Sequence, residues 1–338
     1  MAQLPPSLPT PRGPLTEVLF DFLRLGSGVL PSVSEYWLGG DALGDDDLQL
    51  ALYCCYELHY RGFDLHQDFE WDPSVLRFRG ELERVVEEAL RDLPPCVVPG
   101  GPTPEEQLAT IISSADGPSL SSWVEQHGTL DHLREFAVHR SLYQLKEADA
   151  HTWGIPRYSG RSRSALIEIQ MDEYGGGVPG AAHAELFART MAALDLDPTY
   201  GAYLETVGAP TLATTNLISW FGLHRRLLPA LLGHLAIFEM TSVEPMRRYA
   251  RACRRLGLGA EATRFYDVHV EADAHHGPLA AHRLVGDYVR ENPTSLALVM
   301  WGARSLMHVE RRFAESVLQR WTAGHSSLRE TERPAACP

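Results

Sequence analysis

The residues best suited to chemistry lie in the stretch YDVHVEADAHHG, which contains His269, Asp273 and His276. At about 100° per residue of helix, these three side chains fall within about 60° of one another, on one face. The neighbouring His275 and Glu271 lie off that face. Two imidazoles and a carboxylate on one stripe form half of a transition-metal site. On this motif alone, a polar helix face with incidental histidines is an equal alternative.

A second group of candidate ligands flanks the segment DEYGGGVPGAAH. Gly175–Gly177 predict the end of one helix, because glycine readily adopts the left-handed conformation that follows a helix. Pro179 suits the first turn of the next helix. This connection is expected to bring Glu173 close to His183. The segment also contains the spacing GxGxxG, but no strand precedes it, so a dinucleotide site is not predicted.

Two further carboxylates sit inside largely apolar helical segments. Glu239 lies in LLGHLAIFEMTS and Glu147 lies in SLYQLKEADAHTW. A buried carboxylate is costly unless it is paired or ligated. Each residue could therefore bind a metal, form a buried salt bridge or reach solvent. The sequence has no HExxH, P-loop or GxSxG motif, and it lacks the paired Glu-x-x-His of ferritin-like di-iron bundles.

The elements that must position these residues are predicted to be helices throughout. Helical periodicity recurs without any run of strand-like alternation, so we expect an all-α fold with a bundle of about seven or eight helices. A Pro/Gly-rich loop over residues 93–107 separates this bundle from helices nearer the N-terminus. The predicted organisation is a disordered N-terminus, an N-terminal helical extension, the bundle domain and a disordered tail, over residues 1–12, 13–125, 126–322 and 323–338.

The composition excludes several other classes of protein. The 338 residues carry a formal net charge of −14, which disfavours binding to nucleic acid. No apolar run approaches the roughly 20 residues of a membrane span, and no secretory signal is recognised. Five cysteines without a CxxC ladder suggest a reducing cytoplasm, with Cys54 and Cys55 as buried helix residues.

The order of the candidate ligands resembles that in the haem-oxygenase-like di-iron oxidases and oxygenases. The resemblance covers roughly residues 130–322, and HxxxDxxH with upstream Glu and His is its most specific part. The DEYGGG segment is similar to one found in bacterial members described as iron-containing redox enzymes. The gap between Glu173 and His183, together with the presence of Glu147, is most similar to the amine N-oxygenase branch.

This resemblance implies a haem-oxygenase-like fold and a centre of two non-haem irons. The implied ligands are seven carboxylates and imidazoles: Glu147, Glu173, His183, Glu239, His269, Asp273 and His276. Glu173 and His183 are expected to hold one iron, and the ligands within residues 269–276 the other. Glu239 is the expected bridging carboxylate. Glu147 is expected to complete the first site or to change position during the reaction, so Glu147 and Glu239 are the expected catalytic residues.

The implied activity is O2-dependent oxidation of a small amine to an N-hydroxy or nitro product, in the biosynthesis of a specialised metabolite. O2 is the co-substrate, and an external electron donor, an unidentified reductase, is required. Two alternatives stay open: desaturation or oxidative C–C cleavage of an amino acid or fatty acid, and a helical metal-binding or small-molecule-binding protein without turnover. Haem chemistry is disfavoured, because it needs a single proximal histidine and no cluster of carboxylates.

Two weaker expectations concern partners. The N-terminal helices are expected to cover the bundle or to form a homodimer interface. Arg225, Arg226 or Arg264 could bind a substrate carboxylate, although a surface position is favoured for each of them.

Overall fold

The computed structural model describes residues 5–91, 93 and 103–330. Within these ranges the chain forms helices and loops and no β-strand, which confirms the all-α prediction. Residues 1–4, 92, 94–102 and 331–338, which include parts of both predicted disordered termini and of the predicted Pro/Gly-rich loop, lie outside the described residues.

Five helices precede the predicted bundle: α1 Pro14–Leu25, α2 Asp46–Glu57, α3 Pro73–Arg91, α4 Pro104–Ser113 and α5 Leu120–His127. Local signals account for their starts. The Asp45 side chain accepts a hydrogen bond from the Leu48 amide at 2.8 Å, which caps α2. The side chain of Thr103 caps α4 in the same way. Cys54 and Cys55 are buried within α2, as the sequence predicts.

Ten more helices complete the described chain: α6 Leu130–Gln144, α7 Asp149–Thr152, α8 Gly160–Glu173, α9 His183–Ala193, α10 Ala209–Leu223, α11 Leu228–Thr241, α12 Val243–Arg255, α13 Ala260–Leu279, α14 Asp287–Glu291 and α15 Leu296–Thr322. A π-helical segment, Ala280–Gly286, joins α13 to α14. Helix α9 begins later than predicted, since Pro179 lies in the connecting loop rather than in the first helical turn.

Helices α11 and α15 form the closest helix pair of the bundle core. Gly233 of α11 lies against the backbone of Val299, and Gly302 of α15 lies against the backbone of Ala230. A methyl group at either glycine would collide with the facing main chain. The two glycines therefore fix α11, which carries Glu239, directly against the long C-terminal helix.

The N-terminal helices share a hydrophobic core with the bundle. Leu48 of α2 and Leu217 of α10 belong to one continuous cluster of buried apolar side chains. The amide of Asn216 donates to the carbonyl oxygen of Gln49 at 2.9 Å. The extension therefore covers the bundle, and its division from the bundle near residue 125 stays a prediction.

Residues 5–12 and 323–330 contain side chains that contact the bundle, and the predicted disorder of the two termini stays a prediction. The Arg12 guanidinium donates to the Leu204 carbonyl oxygen at 2.8 Å. Near the other end, Ser327 Oγ donates to Glu135 Oε2 at 2.6 Å and lies 2.9 Å from His139 Nε2. These hydrogen bonds link both segments to the helices of the bundle.

Among the described residues, no single helix is both long enough and apolar enough to cross a membrane. One pair, Arg225–Thr241 and Val243–Arg255, meets the length and composition requirement only jointly, across a bend of 47°.

Candidate metal centre

Helix α13 supplies three of the predicted ligands from one buried face. His269, Asp273 and His276 are all at most 3% exposed. The His275 side chain is 66% exposed and pairs with Glu168 on the surface. The helical spacing therefore predicts the buried face of α13 correctly, because residues three, four and seven apart share one side of a helix.

The glycine loop brings Glu173 and His183 together. Gly175 has a φ of +69°, and a side chain there would collide with the backbone of Ala181 and Ala182, so only glycine fits. This tight return places Glu173 Oε2, at the end of α8, 2.7 Å from His183 Nδ1, at the start of α9. Both side chains are buried.

Glu147 and Glu239 complete the ring of buried carboxylates. Glu147 follows α6, and its Oε1 lies 3.3 Å from His269 Nε2. Glu239 lies on α11, with its Oε2 3.4 Å from His276 Nδ1. The two glutamates are 8% and 6% exposed respectively. All seven predicted ligands therefore surround one buried region.

The ligand atoms fall into two groups that share one residue. One group comprises Glu147, Glu173, His183 and His269, and the other comprises Glu173, Glu239 and His276. Within each group, the ligand atoms lie within 4.8 Å of one another. Glu173 is common to both groups, whereas the resemblance implied that Glu239 is the bridge. His269 also groups with the first set rather than with the other ligands of α13.

Several atoms of this cluster lack hydrogen-bond partners despite their burial. They are Glu173 Oε2, His183 Nδ1, Asp273 Oδ2 and His276 Nδ1. Buried polar atoms are almost always hydrogen-bonded, so four such atoms in one place require an explanation. Glu173 Oε2 and His183 Nδ1 are close together yet poorly aligned for a hydrogen bond, as expected for two lone pairs that face a common cation. Carboxylate and imidazole donors suit iron or manganese, so the residues present fit such an ion.

Electrostatics within the cluster favour the binding of protons when no cation is bound. Burial raises the pKa of Glu239 to about 8 and that of Glu173 to about 7. Although burial opposes it, the surrounding carboxylates raise the pKa of His269 to about 10. Burial lowers the pKa of His183 to about 4, which leaves this imidazole free to ligate a metal. Metal binding would therefore displace protons from the cluster.

Outer contacts fix two of the imidazoles. His269 Nδ1 donates to the Phe265 carbonyl oxygen at 2.9 Å, which leaves Nε2 facing the cluster. His276 Nε2 lies 2.9 Å from Asp172 Oδ2, which leaves Nδ1 facing inward. Such partners orient metal-binding histidines. Sequence reasoning missed Asp172, whose only signal is its position directly before Glu173.

A large cavity, here called the chamber, adjoins the cluster. It has a volume of about 590 Å³. The residues that line both the chamber and the space beside the cluster are Gln144, Phe238, Ser242 and Met246. A cavity of this volume is in the range of small-molecule sites.

The arginines that line the chamber differ from those considered in the sequence analysis. Arg226 pairs with Glu87 on the surface. Arg225, Arg226 and Arg264 are all absent from the described residues that line the chamber. Its arginines are instead Arg140, Arg304 and Arg311, which no local motif marks.

The chain is similar in sequence or in structure to several known proteins. A family model described as iron-containing redox enzyme matches residues 134–311, more than half of the chain. The nitrosourea synthase of Streptomyces achromogenes subsp. streptozoticus is 28% identical over 218 residues, which cover 62% of this chain and 45% of that protein. This chain therefore aligns with less than half the length of that relative. A solved domain of unknown function with a haem oxygenase-like fold, from Shewanella denitrificans OS217, aligns with a TM-score of 0.49 and 14% identity, over 68% of this chain and 95% of that one.

Proposed function

The chain belongs to the iron-containing redox enzymes, and we propose that it is a di-iron oxygenase that uses O2 to oxidise the nitrogen of a small amine. The observation that carries this proposal is the pair of buried ligand groups joined through Glu173. Two groups that share a carboxylate suit two metal ions held side by side. The unpartnered atoms on Glu173, His183, Asp273 and His276 support the same interpretation, since bound cations would satisfy them.

Each ligand group would hold one iron. Glu147, Glu173, His183 and His269 would hold the first, and Glu173, Glu239 and His276 would hold the second. Asp273 contributes a buried oxygen beside the second group. When bound, the two irons would supply the electrons and the open coordination positions that O2 activation needs.

The proposed reaction balances with an external reductant. A primary amine, O2, two protons and two electrons give a hydroxylamine and water, so one oxygen atom enters the substrate and the other leaves as water. A further O2 converts the hydroxylamine to a nitro compound and water without additional electrons. An external electron donor, which we propose to be a reductase, would therefore act once in each cycle.

The protein's own residues would contribute placement and proton control. Glu147 and Glu239 both line the space that the chamber adjoins, as do Glu173 and Asp273. Because burial raises the pKa of both residues, each holds a proton more readily in the metal-free chain, and iron binding would release that proton. Phe238 and Met246, at the junction with the chamber, would present apolar surface to the reacting region and limit the access of water.

Nitrogen oxidation is favoured over other outcomes by the nitrosourea synthase relative, whose name describes a product with an N–N=O group. Desaturation or C–C cleavage would use the same cofactor and differ only in substrate position. Those two reactions are therefore the alternative outcomes of the activity test.

The test is anaerobic titration of the full chain with Fe(II), followed by rapid mixing with O2 while the visible spectrum is recorded. We expect about two irons per chain, a transient absorption band, and faster decay of that band with amines that are substrates. The matched variants are Glu173→Gln, which should lose the band, and His275→Ala on the exposed face of α13, which should keep it. Binding of one iron or none, without a band, would overturn the proposal.

A further inference from the structure

The size of the chamber narrows the class of amine, and this inference rests on the proposed function. The chamber has a volume of about 590 Å³. Cavities of this size commonly enclose ligands of drug-like size. A polar amine of only a few atoms would leave most of the chamber unfilled, and its nitrogen would not be held in one orientation beside the metal centre.

Apolar side chains line much of the chamber. Phe238, Met246 and Met307 are partly buried, and all three belong to the lining. Phe238 and Met246 also line the space beside the metal ligands. Phe136 and Tyr249, whose rings stack with centroids 4.3 Å apart, are part of the same lining. Contact with an apolar ligand would remove such surfaces from water, which favours binding.

Four charged side chains of the lining pair with one another. Arg140 donates two hydrogen bonds to Glu310, at 2.8 and 2.6 Å. Arg311 Nη1 lies 3.4 Å from Asp116 Oδ1. Because these groups already have counter-charges, none of the four requires a charged partner on the ligand. The body of the ligand can therefore be uncharged.

The loop between α4 and α5, residues 114–119, supplies the outer wall of the chamber. These residues are exposed to solvent and also line the chamber, so they border its opening. The loop and α5 are attached to α12, because Arg248 donates to Ser119 Oγ at 3.0 Å and Arg255 donates to the Gly128 carbonyl oxygen at 2.6 Å. The loop lies outside residues 134–311, which match the family model. The N-terminal extension therefore adds a wall that the family match does not include.

We propose that the substrate is an amine with a large apolar group that fills the chamber, and that loop 114–119 limits the length of this group. The amine nitrogen would lie near Phe238 and Met246, where the chamber meets the metal centre, and the apolar group would extend toward the loop. The N-terminal extension contributes no predicted metal ligand, yet it would determine which amines fit. Ser114 and Ala115 in the loop have small side chains, so a larger side chain at either position should shorten the chamber.

The test is a fluorescence titration of the full chain, both metal-free and loaded with Fe(II) in the absence of O2. The probes are N-phenyl-1-naphthylamine and the shorter 1-naphthylamine, with the polar amine ethanolamine as a competitor. We expect the wild type to bind N-phenyl-1-naphthylamine, and ethanolamine not to displace it. In Ser114→Trp and Ala115→Trp, the affinity for N-phenyl-1-naphthylamine should fall at least about fivefold, because the tryptophan would occupy part of the chamber. The affinity for 1-naphthylamine should stay within about twofold. Ser113→Trp is the matched control, since Ser113 is exposed but does not line the chamber.

Absence of N-phenyl-1-naphthylamine binding in the wild type, or its displacement by an equal concentration of ethanolamine, would overturn the apolar class of substrate. Unchanged affinity in both loop variants, an equal loss in Ser113→Trp, or an equal loss of both naphthylamines would overturn the role of the loop. All three substitutions are at exposed positions, so the fold is expected to persist, and circular dichroism checks this. Because binding is also measured without metal, a failure of the metal centre is seen separately from a failure of the chamber.

Discussion

The molecule contains two buried polar clusters that include the adjacent residues Lys146 and Glu147. The two clusters differ in how many of their polar atoms form hydrogen bonds. The first, called here the Glu57 cluster, comprises Glu57, Lys146 and Tyr200. Lys146 Nζ donates to Glu57 at 2.8 Å, and Tyr200 Oη donates to the same carboxylate at 2.7 Å. The second is the metal centre, which begins at Glu147, directly after Lys146, and contains four unpartnered atoms.

The extent of hydrogen bonding distinguishes a cluster with a structural role from one that can bind a ligand. In the Glu57 cluster, the Lys146 ammonium is also 4.2 Å from the ring centroid of Tyr60, so its charge is satisfied from two sides. Nothing further is needed there. In the metal centre, the side chains are also buried, but four of their atoms lack a hydrogen bond, and bound protons rather than protein partners compensate the carboxylates when no cation is present. Incomplete pairing at equal burial is therefore the more informative mark of a functional site.

The largest effect is expected from a change at the residue shared by both ligand groups. Glu173→Gln removes the one carboxylate that both groups share. We expect it to reduce bound iron from about two per chain to below one and to abolish iron-dependent oxidation. Iron content after anaerobic loading and gel filtration is the measurement. His275→Ala serves as the control on the exposed face. Full iron content in Glu173→Gln would show that the two groups do not share a ligand.

The next largest effect is expected in the Glu57 cluster, where a substitution should lower stability without removing iron. Glu57→Ala leaves the Lys146 ammonium buried and unpaired, which should lower the free energy of unfolding by about 3–5 kcal/mol. The remaining folded protein should still bind iron. Chemical denaturation and iron content are measured on the same protein. The double variant Glu57→Leu with Lys146→Met should recover most of the stability, and loss of iron in that variant would contradict the division between the clusters.

Metal addition should then distinguish the clusters without any mutation. A cation that binds only the folded state stabilises it, by about 2.7 kcal/mol at a concentration one hundred times its Kd. Fe(II), added anaerobically, should therefore raise the free energy of unfolding of the wild-type chain, and a chelator should reverse the increase. Glu173→Gln should lose this response. An equal response in that variant would place the stabilising cation elsewhere.

The smallest effect is expected from the buried imidazole of His139, which makes the stability of the fold depend on pH. Both ring nitrogens of His139 have hydroxyl partners, in Thr211 and Ser327, and burial lowers its pKa to about 3. Because the folded-state pKa is below the ordinary value of about 6.5, the neutral form is stabilised. The contribution of His139 to the free energy of unfolding is therefore at its maximum above pH ~6.5. As the pH falls from ~6.5 toward 3, the free energy of unfolding decreases by up to about 1.4 kcal/mol per pH unit.

The measurement is the free energy of unfolding as a function of pH, in the wild type and in His139→Gln. Glutamine can keep a hydrogen bond to either hydroxyl but does not titrate, so the slope between pH ~6.5 and ~4 should decrease. His66→Gln, at an exposed histidine, is the matched control. An unchanged slope in His139→Gln would assign the acid sensitivity to other groups.

The sequence predicts best what depends on helical spacing within one segment. The buried face of α13 follows from the spacing of His269, Asp273 and His276, and the approach of Glu173 to His183 follows from three glycines. The burial of Glu147 and Glu239 is suggested by their apolar neighbours, and their role as ligands comes from the resemblance alone.

Relations between distant segments could not be predicted. The position of Glu173 in both ligand groups depends on how α8, α11 and α13 pack, which no local pattern encodes. The same holds for the pairing of Lys146 with Glu57, 89 residues away. The chamber is assembled from side chains of many helices, and its arginines carry no local signal of that role.

The contact between α11 and α15 has a consequence for how such enzymes diversify. Because a side chain at Gly233 or Gly302 would collide with the facing main chain, we expect substitution of either glycine to separate α11 from α15 and to shift Glu239, which α11 carries. Substitutions in the chamber wall away from the ligands are therefore expected to disturb Glu239 less than substitutions of these two glycines. A directed-evolution library built on this chain should keep both glycines constant and vary a partly buried wall position such as Met307, which lies outside the fully buried core.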